Sequence, residues 1–137
     1  MITGITFGSF DLLHAGHVLM FQECKRRCDH LIVGLQTDPT MDRPTKNKPI
    51  QTVFERWIQI NPYVDQVIPY DTELDLLNML AVLPVQRRFI GSEYFGQYIH
   101  GEEICQKRGI NICFVDRMHT YSSSELRKRI ENNESHR

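Results

Sequence analysis

The chain has 137 residues, 41% of them hydrophobic and 24% charged, with a formal net charge of −1. That make-up fits one soluble globular domain with a sizeable core, and it supplies no global field to recruit nucleic acid or an anionic membrane. No apolar run approaches the about 18 residues of a membrane-spanning helix, and the first residues lack the basic-then-apolar order of a secretory signal. The expected setting is the cytoplasm, with neither nucleic acid nor membrane as partner.

Residues 2–7 read as a first strand, and residues 15–28 as a helix with Val18, Leu19, Phe21 and Cys24 on a workable apolar face. Between them runs TFGSFDLLHAGH, from Thr6 to His17. His14 and His17 would share one face of the helix's first turn, where unpaired N–H groups and the positive end of the dipole already favour an anion. Two imidazole donors, free amides and a dipole make a site for phosphate, and Gly8 and Gly16 leave room for it to approach the backbone.

Residues 30–36 (HLIVGLQ) form a second strand whose continuous apolar middle marks cover on both faces. Residues 37–51 (TDPTMDRPTKNKPIQ) break the rhythm with three prolines, two lysines and an arginine. They read as a solvated loop, long enough to serve as a lid over the same crevice. Residues 52–61 then read as a helix stopped by Pro62, residues 66–69 as a short strand, and residues 72–83 as a helix opened by Thr72-x-x-Asp75 and closed before Pro84. Strands follow at residues 88–91 and 110–115, flanking a helix at 98–108 that stops before Gly109. The last helix spans residues 122–131, with Ser122 as cap and Glu125 three residues on, before a polar tail at 132–137.

Strand alternating with helix implies a parallel sheet with right-handed crossovers. The expected architecture is α/β: a Rossmann-like, doubly wound, five-stranded parallel sheet with helices on both faces, built as one domain over residues 1–131. Ligands in such sheets sit beyond the carboxyl ends of the strands, where the Thr6–His17 segment lies. The four cysteines, Cys24, Cys28, Cys105 and Cys113, lack the paired spacing of a zinc site and read as reduced, partly buried thiols.

The Thr6–His17 segment resembles the signature GxFDxxHxGH of the cytidylyltransferase-like nucleotidyltransferases. Gly8, Phe10, Asp11, His14, Gly16 and His17 all fall in place, and the wording FDLLHAGH is most similar to the small glycerol-3-phosphate cytidylyltransferases. The resemblance implies transfer of CMP from CTP to a small alcohol phosphate, glycerol 3-phosphate by default, giving a CDP-alcohol and pyrophosphate. Such a reaction asks the protein to align two reactants and stabilise charge, and needs no covalent nucleophile. It also implies His14 and His17 against the triphosphate, with Gly8, Ser9, Phe10 and Gly16 around the nucleotide. By the same resemblance Lys46 is the candidate for the loop lysine that closes on the phosphates, with Lys48 as its rival; Lys46 is preferred on its spacing to Glu55 and Arg56.

A second family signature, RTxGISTT, is matched in part by RMHTYSSS. Arg117 keeps the first position and Ser122, Ser123 and Ser124 keep the run of hydroxyls, while Met118, His119, Thr120 and Tyr121 depart from it. A GDDW-like turn reads here as GSEYFG, with Gly91 and Glu93 near the base or acceptor and Tyr94 in place of the aromatic. Asp11 would help hold Mg²⁺ or orient an acceptor hydroxyl, Mg²⁺ being expected with the triphosphate rather than in a dedicated protein cage. The stretch before Tyr63 is about two residues shorter than family members have, which predicts a shortened helix ending at Pro62.

The same resemblance implies a homodimer, with Trp57 at its interface or in the core. The HxGH site serves adenylyl- and cytidylyltransferases alike, so ATP as donor, or a sugar phosphate such as heptose 1-phosphate as acceptor, is the alternative. A non-catalytic nucleotide-binding module on the same fold is a remote one. A dehydrogenase is disfavoured, because no G-x-G-x-x-G follows the first strand.

Overall fold

The computed structural model describes residues 1–116 and 128–131. Five strands, β1 (Thr3–Gly8), β2 (His30–Gln36), β3 (Gln66–Tyr70), β4 (Arg87–Gly91) and β5 (Asn111–Val115), form one sheet in the order β3-β2-β1-β4-β5. Every pairing in it is parallel. The chain first builds outward from β1 to β3, then restarts on the other side of β1 with β4. The strand order therefore reverses between β1 and β4, and a ligand crevice belongs at the carboxyl ends of those two strands. The doubly wound α/β expectation holds.

Helices α1 (Ala15–Arg26), α2 (Val53–Ile60), α3 (Glu73–Val82) and α4 (Glu102–Arg108) cover the sheet. On one face Ile5 and Ile32 pack with Leu76 and Leu80 of α3 and Cys105 of α4. On the other, Val33 and Leu35 pack with Phe21 of α1 and Ile60 of α2. Alternate residues of β2 thus feed opposite cores, which is why its sequence is apolar throughout. At Gly34 the side chain is missing for a reason: a Cβ would collide with the Phe7 ring of β1.

Several ends follow the sequence closely. Thr72 and Asp75 form a reciprocal capping box at the start of α3, as Thr52 and Glu55 do for α2. The helix α2 is short, as expected, and Pro62 sits in a 3₁₀ turn (Asn61–Tyr63) that follows it. Other ends differ. The helix expected from residue 98 begins only at Glu102, because Gly101 adopts φ 86°, a left-handed conformation that interrupts helical geometry. The helix α1 ends at Arg26, two residues early, so Cys28 lies outside it. Trp57 is 39% exposed and shares the outer side of α2 with the more exposed Phe54 and Ile58, so it is not a core residue. All four cysteines are free thiols, and burial pushes that of Cys24 up to about 12. Residues 128–131 are helical, in line with the end of the expected last helix. No helix among the described residues is long and apolar enough to cross a membrane.

Candidate active site

Past β1 the chain turns through Ser9–Leu13 with two non-glycine residues in left-handed backbone, Phe10 at φ 47° and Leu12 at φ 52°. Such conformations cost free energy and persist only where the surroundings enforce them. Here they do. The Phe10 ring is buried, with centroids 5.1 Å from Phe21 and, edge to face, 5.5 Å from His17. The Leu12 amide donates to Gln51 Oε1 at 2.9 Å. The space expected to admit phosphate over Gly8 is instead taken by Phe10, whose ring would stand 3.0 Å from a Cβ there. Gly8 is small so that the turn can fold back on the strand.

The histidines hold each other. His14 is the N-cap of α1, and its Nδ1 accepts from the Gly16 amide at 3.0 Å. His17 Nδ1 in turn accepts from the His14 amide at 3.3 Å. The rings stack with centroids 3.8 Å apart and planes 24° from parallel. This is a capping box with imidazoles in place of hydroxyl and carboxylate. A nitrogen that accepts a hydrogen bond carries no proton, so the box assigns both neutral rings their proton on Nε2. Each Nε2 is then a donor, beside the positive end of α1's dipole.

The loop over residues 37–51 is tied down at its ends. Asp38 caps a 3₁₀ turn (Pro39–Met41), and the Thr40 hydroxyl and amide, with Lys48 further off, hold its carboxyl below the usual range. Asp11 accepts from the amides of Ile50 at 2.9 Å and Gln51 at 3.0 Å, one to each carboxylate oxygen. Arg56 is 1% exposed. Its guanidinium donates to the carbonyls of Gln36 and Thr37 at 2.7 Å each, Ser9 at 2.8 Å and Gln51 at 3.2 Å. One side chain thereby joins the end of β2, the signature turn and the far end of the loop. Burial pulls the Arg56 pKa down, against Asp11 and Asp38, which pull it up.

A pocket of about 250 Å³ lies between the turn and the loop. Ser9, Phe10, Asp11 and His17 form one side; Arg43, Lys46 and Asn47 form the other. Lys46, not Lys48, is thus the loop lysine that faces the signature. His14 stands behind His17, whose ring its own stacks on, and is not among the residues that line the pocket. Gly91 ends β4 and Glu93 lies in the 3₁₀ turn that follows (Ser92–Tyr94), over Gly91; neither is among the residues that line this pocket. Arg117, Ser122, Ser123 and Ser124 lie outside the described residues. Asp11, with both oxygens on backbone amides, works as a clamp on the loop, and among the described residues no three metal-ligating side chains cluster.

Residues 5–129 match the model of the cytidylyltransferase-like family. The chain belongs to that family. Its relatives include the bifunctional protein HldE of Granulibacter bethesdensis, 31% identical over 135 residues, 95% of this chain and 27% of that protein. HldE of Hyphomonas neptunium is 31% identical over 131 residues, 93% of this chain and 27% of that protein. The chain therefore spans about a quarter of the length of these curated relatives. Among solved structures, a lipopolysaccharide core biosynthesis protein from Thermoplasma volcanium superposes with a TM-score of 0.67 at 26% identity, over 89% of this chain and 99% of that one. Pantothenate synthetase from Thermus thermophilus shares the fold, with a TM-score of 0.63 at 13% identity, over 94% of this chain and 64% of that one. Family and relatives identify this cytidylyltransferase-like chain as a nucleotidyltransferase enzyme.

Sequence reasoning used Arg56 only as a ruler for the loop lysine and passed over its burial. The signal was there, since Arg56 stands one helical turn before the buried Ile60 and so falls on α2's inner side. Arg43 and Asn47 were hidden in a loop without periodicity.

Proposed function

We propose that the protein transfers a nucleoside monophosphate from a nucleoside triphosphate to the phosphate of a sugar, releasing pyrophosphate, with ATP as the donor. The observation that carries the transfer is the reciprocal histidine cap, which commits both Nε2 groups to donation at a helix N-terminus. An acceptor phosphate oxygen attacks the α-phosphorus while the bond to the leaving pyrophosphate breaks. Negative charge gathers on the α-phosphate oxygens and the bridging oxygen, and fixed donors at those places lower the barrier. His14 and His17 supply such donors from the turn, and Lys46 from across the pocket. The loop clamp of Asp11 and Arg56 keeps that lysine within reach of the turn. Mg²⁺ enters as part of the triphosphate substrate, on phosphate oxygens and water.

The wording of the first signature favoured CTP and glycerol 3-phosphate. The relatives and the lipopolysaccharide core biosynthesis structure support a sugar phosphate better. The departure of RMHTYSSS from the pattern of the CTP enzymes supports the change of nucleotide. The test is pyrophosphate release with Mg²⁺ across ATP, CTP, GTP and UTP, against sugar 1-phosphates (heptose 1-phosphate included) and glycerol 3-phosphate. Release with ATP and a sugar phosphate is expected; release confined to CTP and glycerol 3-phosphate would restore the other specificity.

A further inference from the structure

The sheet carries a second polar group at its carboxyl ends, on the face covered by α3 and α4 and away from the histidine cap. Gln36 ends β2. Its carbonyl serves Arg56, but its side chain alternates onto the same face as Ile32. It is 3% exposed, and among the described residues its Nε2 has no hydrogen-bond partner. Its register partner is Tyr70, the last residue of β3. The Tyr70 ring meets Phe7 edge to face at 5.7 Å, and on the other side of Phe7 lies the Arg88 guanidinium, 5.2 Å from the ring centroid. Arg88 is 5% exposed and donates to the His100 carbonyl. Among the described residues no carboxylate comes within 4.0 Å of it, and its charged neighbour at longer range is Glu73, itself bridged to Arg43 at 3.3 Å.

A buried amide donor without an acceptor and a buried cation without a counter-charge both oppose folding. Native proteins keep such groups where function uses them. The amide N–H₂ of Gln36 and the guanidinium of Arg88 can only donate, and they lie beside two aromatic rings, Tyr70 and Phe7. A matching ligand offers many oxygen acceptors together with C–H faces that lie against rings, which is the chemistry of a polyhydroxylated compound. Arg43 links the two places, since it lines the pocket beside Lys46 and pairs with Glu73 at the rim of this cluster.

We infer that Gln36 and Arg88 bind the hydroxylated end of the acceptor, over Phe7 and Tyr70, while its phosphate faces His17 and Lys46. This rests on the sugar-phosphate reading above and adds to it the residues that select the sugar. The three-carbon glycerol 3-phosphate leaves most of these donors unmet.

The test is Gln36→Met, which keeps length and removes the donor, assayed with the intact chain by steady-state kinetics, calorimetric titration of the same sugar phosphates and thermal melting. Acceptor KM and Kd should rise about tenfold, the loss expected for one unmade hydrogen bond to a substrate hydroxyl. The KM for the nucleotide should stay within about twofold, and the melting temperature should hold or rise because an unmet buried donor has gone. Unchanged acceptor KM and Kd would overturn the inference and leave the transferase reading standing. Wild-type protein that neither binds nor turns over any sugar phosphate would overturn both. Gln36→Leu, which removes the same donor with a shorter apolar side chain, decides the matter in the same way if Gln36→Met does not fold.

Discussion

His14 and His17 close the cap on α1 with their Nδ1 atoms as acceptors, and the proposed transfer uses their Nε2 protons as donors to phosphate. In ¹⁵N-resolved spectra of the free protein both rings should therefore be the Nε2–H tautomer. His17→Ala, in a protein that still folds, should lower kcat by on the order of 10²–10³, the usual loss for one donor to developing negative charge. Turnover near that of the wild type would remove the histidines from the mechanism. Lys46→Ala should slow turnover more than Lys48→Ala, because Lys46 lines the pocket and Lys48 is not among its lining residues. The reverse ranking would mean that the loop rearranges when substrate binds.

Among the elements, the loop over residues 37–51 depends most on what lies outside it. Arg56 satisfies four carbonyls. Arg56→Met should cost on the order of 3 kcal/mol, since each buried acceptor left unmet costs about 1–3 kcal/mol. It should also expose the loop to limited proteolysis. Arg56→Lys should rescue little, because an ammonium cannot span the positions of a planar fork.

Asp65 joins α1 to β2 through Lys25 Nζ at 2.7 Å and the Leu31 amide at 2.8 Å. Burial pushes its pKa up, but the Lys25 and Leu31 hydrogen bonds outweigh burial and bring it below the usual carboxylate value. A folded-state pKa that is depressed gives stability present above the unfolded value, about 3.9, and lost as pH falls through the folded one. Melting temperature should thus fall on acidification below about pH 4, and fall less in Asp65→Asn; equal losses in both proteins would assign the acid sensitivity to other carboxylates.

At the scale of the whole molecule, the sequence was legible wherever structure is set locally. HLIVGLQ announced a strand covered on both faces, Thr72 and Asp75 announced a cap, and the signature announced the turn at the switch point. What stayed hidden depends on partners distant in the chain. Nothing near Asp11 says that its carboxylate will hold Ile50 and Gln51, 39 and 40 residues on. Nothing near Arg88 says that its strand will carry it into the core. The left-handed Gly101 shortened a helix whose composition alone would have extended it.

In the proposed transfer the α1 side of the sheet supplies donors for the triphosphate and the α3–α4 side donors for the acceptor. The most direct measurement is a ³¹P spectrum of the complete reaction with ATP, Mg²⁺ and a sugar 1-phosphate. The expected result is a coupled pair of diphosphate signals from a nucleoside diphosphate sugar, growing in step with pyrophosphate. An unchanged mixture, or the same pair of signals only with CTP and glycerol 3-phosphate, would contradict it.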